Sequence, residues 1–101
     1  METRDWQEYL SNKLSFSFMA KRIDDTDKVV WVGLKNDKLF SMGHIMKVLC
    51  VESEDDLYGI IVKVREGRQT AFVPVLDLEV VNPKGLNNQY LEEYAEWFAN
   101  E

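Results

Sequence analysis

Several residue types are scarce in this 101-residue chain, and each scarcity excludes a class of site or location. The single cysteine, Cys50, cannot form a disulfide within the chain, and the single histidine, His44, is too few for the usual histidine-rich zinc site. No apolar run approaches the ~20 residues that cross a bilayer as a helix. The N-terminus also lacks the basic-then-apolar pattern of a signal peptide. These features predict a cytoplasmic protein with no membrane partner.

Positive charge is also in deficit. Twelve Lys and Arg residues face eighteen Asp and Glu residues, which gives a formal net charge of −6. An anion of this size is repelled by phosphate backbones, so nucleic acid is not an expected partner. A hydrophobic content of 46% is enough for one core at this length, and we predict a single domain over residues 1–101.

Catalytic chemistry is weakly represented in the sequence. A nucleophilic pair of Cys50 and His44 is conceivable, but Cys50 lies inside a β-rich run, where cysteine usually behaves as a small buried hydrophobe. Gly59, Gly67 and Gly85 are too far apart to form a loop that cradles phosphate. We therefore predict that the protein is not an enzyme.

The clearest architectural signal lies in residues 57–81. Alternation of apolar and more polar positions over residues 60–65 predicts a strand with one face in a core. Gly67 supplies the positive φ that a tight hairpin needs before the return strand. Pro74 has no N–H for a ladder, so we expect pairing to stop there. A short turn and a last strand over residues 79–81 should follow.

Other segments complete the outline. Helical spacing of aromatic and leucine residues predicts a helix over about 3–13, and period-2 alternation predicts a strand over 14–20. Runs rich in β-branched residues predict further strands over 29–34 and 45–51. The apolar face of residues 88–100 predicts a closing helix.

A strand, a tight hairpin, a strand, a short turn and a final short strand are typical of the end of a small SH3-like barrel. We therefore predict an α+β fold that is mostly β, with an SH3-like barrel over about 14–81 between an N-terminal and a C-terminal helix. The predicted core comprises Phe16, Phe18, Trp31, Ile60, Val62, Phe72, Tyr94 and Trp97.

Three groups of carboxylates are candidate cation ligands. They are Asp24, Asp25 and Asp27; Glu52, Glu54, Asp55 and Asp56; and Asp77 with Glu79. An EF-hand is excluded, because a loop starting at Asp25 would place Val30 where glycine is needed and Asn36 where a bidentate Glu is needed. We expect residues 52–56 to form a solvated loop, since so many carboxylates cannot be buried cheaply. For each group the alternative is a solubilising acidic loop.

The chain resembles a known family at several blocks. They are Leu14-Ser15-Phe16-Ser17-Phe18, Tyr58-Gly59-Ile60, Pro74-Val75-Leu76-Asp77-Leu78-Glu79 and Tyr94-Ala95-Glu96-Trp97-Phe98-Ala99-Asn100. Together they resemble the small bacterial calcium-binding family typified by the cyanobacterial protein CcbP. This resemblance implies the fold and Ca²⁺ as the ligand, and its matched blocks include Asp77 and Glu79.

The sequence thus predicts a non-enzymatic calcium-binding protein, a buffer or a sensor, that binds through carboxylates of surface loops. Asp77 and Glu79 follow rigid structure, and we expect the missing oxygens to come from 24–27 or 52–56. The alternative is an SH3-like module that binds a protein partner and no metal. A basic hairpin tip at 63–68 could be either a solvated turn or a docking site for an acidic partner.

Overall fold

The computed structural model of the chain describes residues 5–23, 40 and 42–100. Its elements, in chain order, are helix α1 (Trp6–Lys13), strands β1 (Phe18–Arg22), β2 (Ile45–Asp55), β3 (Gly59–Glu66) and β4 (Gln69–Pro74), a 3-10 turn (Val75–Asp77), strand β5 (Leu78–Val80) and helix α2 (Leu86–Ala99). Both predicted terminal helices are therefore present, and the predicted strand over residues 29–34 lies outside the described residues.

The five strands form one antiparallel sheet in the order β4-β3-β2-β1-β5. The edge strands β4 and β5 follow each other along the chain with only Val75–Asp77 between them. The sheet must therefore curl until its two edges approach one corner. No pairing joins β4 to β5 within the described residues, so a closed SH3-like barrel is not confirmed. The coarser prediction of a mostly β, α+β fold is confirmed.

The first strand begins later than the sequence predicts, at Phe18 rather than at residue 14. Leu14 caps α1, donating its N–H to the carbonyl of Leu10 over 3.0 Å. Ser15 then bonds to Asn87 of α2, through its N–H to Oδ1 (2.8 Å) and its carbonyl to Nδ2 (3.1 Å). This stretch is thus tied to a helix instead of to a neighbouring strand.

Strand β2 is longer than predicted, and the expectation of a loop over residues 52–56 is wrong for its first four residues. Glu54 pairs with Ile60, and Asp55 pairs with Gly59. Glu52 and the residues after it are nevertheless solvent-exposed, as expected. A strand position that faces water carries a carboxylate without burying it, so acidity does not end the strand.

The β3–β4 hairpin is confirmed, with Gly67 at φ +63°. Pro74 is the last residue of β4, where it lies opposite Ile61. The predicted short turn is the 3-10 turn Val75–Asp77, and β5 begins at Leu78, one residue earlier than predicted.

The core lies between the concave face of the sheet and the two helices. Of the predicted core residues, Ile60, Val62 and Tyr94 are fully buried, and Phe16, Phe18 and Trp97 pack against the cluster while partly exposed. The prediction for Phe72 is wrong, because Ala71 and Val73 occupy the inward positions of β4. Trp31 lies outside the described residues.

The two helices meet through their aromatic rings. The Trp6 ring of α1 lies 5.3 Å from the Tyr94 ring and 5.5 Å from the Trp97 ring of α2, measured between centroids. Such tilted aromatic pairs contribute more than the area they bury. Neither α1 nor α2, the helices of the described part of the chain, is long and apolar enough to cross a membrane.

Candidate metal site

The β2–β3 turn is the most acidic described part of the chain. We call Glu54, Asp55 and Asp56 the acidic turn, and all three side chains are solvent-exposed. Asp55 Oδ1 accepts hydrogen bonds from the backbone N–H groups of Leu57 (2.8 Å) and Tyr58 (2.9 Å). A short Asp side chain that bonds the amides following it fixes a turn. The carboxylates of the acidic turn therefore lie on a hairpin whose turn is fixed by hydrogen bonds.

A shallow cleft lies between the acidic turn and the C-terminal part of α2. It is lined by the three acidic residues together with Gly59, Trp97 and Phe98. Gly59 has φ +79°, and a Cβ there would overlap the Tyr94 hydroxyl and lie 2.8 Å from Phe98 Cε2. Glycine is thus required for the close approach of the turn to α2.

Tyr94 fastens the end of the hairpin to the helix. Its buried hydroxyl oxygen accepts the N–H of Ile60 over 2.9 Å. Burial raises the pKa of Tyr94 above its usual 10.0, the bond from Ile60 lowers it, and the negative charge of Glu54 raises it further. The acidic turn and the buried hydroxyl are therefore close enough to interact electrostatically.

Asp77 lies in a different environment, buried in the 3-10 turn. Its Oδ2 is 3.8 Å from Nη2 of Arg22, which is also buried. Arg22 Nη1 donates to the carbonyl of Phe40 over 2.8 Å, and the Asp77 carbonyl accepts the N–H of Ile23 over 2.8 Å. The Asp77 charge is balanced inside the protein and is not presented on a surface loop. Arg22 is not among the residues predicted from the sequence, although it lies two positions after Ala20 on the inward face of β1.

A second carboxylate, that of Glu66, links Phe40 and His44, two residues that hydrogen-bond to Arg22. The side chain of Glu66 accepts the N–H of Phe40 at Oε1 (2.7 Å) and lies 2.9 Å from His44 Nδ1 at Oε2. His44 is thus engaged with Glu66, while Cys50 lies six residues further along β2. Six residues of strand measure about 20 Å. This arrangement does not form the nucleophilic pair of Cys50 and His44 considered from the sequence.

The structure brings the sequence-predicted candidates together only in part. Glu54, Asp55 and Asp56 share one cleft, whereas the exposed Glu52 does not line it. Glu79 is exposed on β5 opposite Lys21. Asp24, Asp25 and Asp27 lie outside the described residues, so a site that combines them with Asp77 and Glu79 stays a prediction. Over residues 5–23, 40 and 42–100, no three His, Cys, Asp or Glu side chains converge closely enough to hold a metal ion.

Comparison with known families decides the ligand. A family model described as calcium binding, that of the CcbP proteins, matches residues 2–98. The chain belongs to this calcium-binding family. Searches of curated proteins and of solved structures gave no match. The family match confirms the resemblance of the sequence blocks and supports Ca²⁺ as the ligand of this CcbP-family protein.

Proposed function

We propose that this CcbP-family protein binds Ca²⁺ at the acidic turn, through Glu54, Asp55 and Asp56. The observation that carries the proposal is that these three consecutive carboxylates line one cleft. All three are exposed, and none has an ion-pair partner among the residues that the structure describes. Calcium prefers oxygen ligands of this kind. The turn offers them without breaking an ion pair of the described residues, although Asp55 Oδ1 already accepts the N–H groups of Leu57 and Tyr58.

The alternative pair, Asp77 and Glu79, is less suited to the ion. If Asp77 turned to calcium, the buried guanidinium of Arg22 would lose the carboxylate that lies 3.8 Å from it, which is costly in a protein interior. Glu79 lies directly opposite Lys21, whose positive charge opposes a cation. We therefore assign Asp77 a role in holding the fold and place the calcium ligands on the acidic turn.

The ion would assemble its own site. Calcium takes about six to eight oxygens at roughly 2.3–2.6 Å, and three carboxylates supply at most six. Carbonyls or waters must provide the rest, and the three side chains must draw together around the ion. The turn is joined to α2 through Gly59 and the Ile60–Tyr94 hydrogen bond. Because calcium would change the shape of the turn, we favour a sensor over a passive buffer. The fluorescence of Trp97, which lines the same cleft, should report the change.

The finer features of the fold and setting belong to the same proposal. We infer an open SH3-like barrel, because three residues separate the two edge strands of a five-stranded sheet. We also propose that the protein is not an enzyme, a view supported by the pairing of its only histidine with Glu66 instead of with Cys50. A cytoplasmic location is proposed on the sequence alone.

The test is calorimetric titration of the chelator-treated protein with Ca²⁺. In the double variant Asp55→Asn/Asp56→Asn the amide side chain introduced at position 55 keeps an oxygen acceptor for the turn, so the hairpin is expected to survive. The control Glu92→Gln/Glu96→Gln removes the same charge from the exposed side of α2. We expect the first variant to bind calcium at least tenfold more weakly, about 1.4 kcal/mol, and the control to bind as the unmodified protein does.

Two results would redirect the proposal. If Asp55→Asn/Asp56→Asn binds normally while neutralising Asp24, Asp25 and Asp27 abolishes binding, the acidic turn is not the site. If the unmodified protein binds no calcium, the interaction-module alternative is favoured. The sensor role is tested by Trp97 fluorescence, which should change on calcium addition in the unmodified protein. A calcium-dependent change that persists in Trp97→Phe would come from another tryptophan.

A further inference from the structure

The convex face of the sheet carries a cluster of positive charge on a protein whose net charge is −6. We call this cluster the basic face, and it consists of Lys21, Lys47, Lys63 and Arg65 on β1, β2 and β3. Each of the four follows or precedes a buried residue of its strand, so each points away from the core. The cations are therefore gathered by the topology of the sheet and not by one local sequence run.

One pair of these cations is unfavourable in isolation, whereas Lys21 lies opposite Glu79 of β5. Lys47 lies directly opposite Arg65 in the β2–β3 register. Side chains in such positions are about 5 Å apart at Cβ, and like charges there destabilise a sheet. None of the four cations forms an ion pair within the described residues, although the protein has eighteen acidic residues. Arg65 Nε instead donates to the carbonyl of Gly67 over 3.0 Å.

Exposed apolar side chains lie among the cations. Met19, which is 43% exposed, is opposite Lys47, and Ile45, which is 49% exposed, is opposite Lys21. A shallow cleft is lined by Met19, Ile45, Met46, Lys47, Arg65, Glu66 and Gly67. The one carboxylate among them, that of Glu66, is bonded to Phe40 and His44. Apolar and cationic groups thus alternate across neighbouring strands within one concave feature.

We propose that the basic face docks an acidic segment of another protein, one that places carboxylates beside apolar side chains. Charge complementarity selects the acidic groups, and the cleft between Met19 and Ile45 would bury the apolar ones. A long polyanion is disfavoured, because its many charges would also meet the acidic remainder of this protein. A short segment interacts only with the basic face, since charges beyond about 8–10 Å are screened at physiological salt.

The proposal is tested with a fluorescein-labelled synthetic peptide that combines Glu with Leu, followed by fluorescence anisotropy. A matched peptide has Ser in place of each Leu. The variant Lys47→Glu/Arg65→Glu reverses two charges of the basic face. The control variant Lys13→Glu/Lys84→Glu reverses two exposed charges elsewhere on the protein. We expect the first variant to weaken binding of the Glu–Leu peptide at least about tenfold and the second less than about threefold. Met19→Ser/Ile45→Ser should weaken it with no change of charge.

Several outcomes would overturn the proposal. They are failure of the unmodified protein to bind the Glu–Leu peptide, equal weakening by both charge reversals, and equal binding of the Ser peptide. Tighter binding of a single-stranded oligonucleotide or of phosphatidylserine vesicles would assign the face to a different partner. All measurements are made in chelator, so the result does not depend on the calcium site. Thermal melting of each variant verifies that the fold is retained.

Discussion

The interior ion pair between Arg22 and Asp77 yields the most demanding prediction. Asp77→Asn keeps the size of the side chain and removes its charge, so the buried guanidinium of Arg22 loses the carboxylate that lies 3.8 Å from it. Breaking a buried ion pair by neutralising one partner costs about 3–5 kcal/mol. The Arg22 Nη2 to Asp77 Oδ2 separation of 3.8 Å is long for a direct hydrogen bond, which places the expected cost near the lower end.

A loss of about 3 kcal/mol is large for this protein. Domains of this size are stable by about 5–15 kcal/mol, and each kcal/mol shifts the melting temperature by roughly 4–8 °C. We therefore expect Asp77→Asn in chelator to melt at least about 12 °C below the unmodified protein. Under conditions where the variant is still folded, its affinity for calcium should be nearly unchanged, because the acidic turn is untouched.

The assay is urea unfolding of Asp77→Asn, Arg22→Met and the double variant. The double variant removes both charges of the pair, so it should be less destabilised than the sum of the single variants, by at least about 1 kcal/mol. An Asp77→Asn protein as stable as the unmodified one, or strictly additive effects in the cycle, would refute the reasoning. Loss of calcium binding by a folded Asp77→Asn protein would instead return Asp77 to the ligand set.

Three further predictions follow from the contact between the hairpin and α2 and from the calcium proposal. Gly59→Ala should cost clearly more in urea unfolding than Gly67→Ala, whose Cβ meets open space and which should cost only about 1–2 kcal/mol; equal costs would contradict the close approach. The folded-state pKa of Tyr94 lies above the unfolded value of 10.0, so its contribution to stability is complete below pH 10 and is lost as the pH rises through the folded pKa. The stability difference between the unmodified protein and Tyr94→Phe, measured by urea unfolding, should therefore be constant below pH 10 and shrink above it; a difference that does not change with pH would contradict this. Calcium at about a hundredfold over its Kd should add roughly 2.7 kcal/mol, and magnesium much less; equal, salt-sensitive effects of both ions would indicate only screening of negative charge.

The elements that the sequence predicted well are those whose signals are local. Helices α1 and α2 follow from apolar residues at helical spacing, and the β3–β4 hairpin follows from alternation around Gly67. The predicted start of β1 is four residues too early, because Ser15 hydrogen-bonds to Asn87 of α2 and not to a neighbouring strand. No local sequence pattern indicates a partner so distant along the chain. Phe72 is predicted in the core on the expectation that alternating apolar faces share one interior, whereas the inward positions of its strand belong to its neighbours Ala71 and Val73.

The candidate site was predictable in composition but not in geometry. The acidic run was recognised, yet its wall of Trp97 and Phe98 comes from the far end of the chain, and the aromatic spacing of α2 indicated only packing. The burial of Asp77 depends on Arg22, and a charged residue on an inward strand position was the one available signal. Long-range pairing of polar groups decides which carboxylates face water, and a single sequence does not encode that pairing in any local pattern.

The contact of Trp6 with Tyr94 and Trp97 has a consequence for how the protein is made. Helix α1 and strands β1 to β5 are synthesised before α2, yet the contacts of Trp6 with Tyr94 and Trp97 form only when α2 has been made. Until then the side chains that α2 will cover remain exposed to water and to other macromolecules near the ribosome. Contacts between residues so far apart in sequence also slow folding. The nascent chain thus exposes this apolar surface until α2 has been synthesised and packs against it.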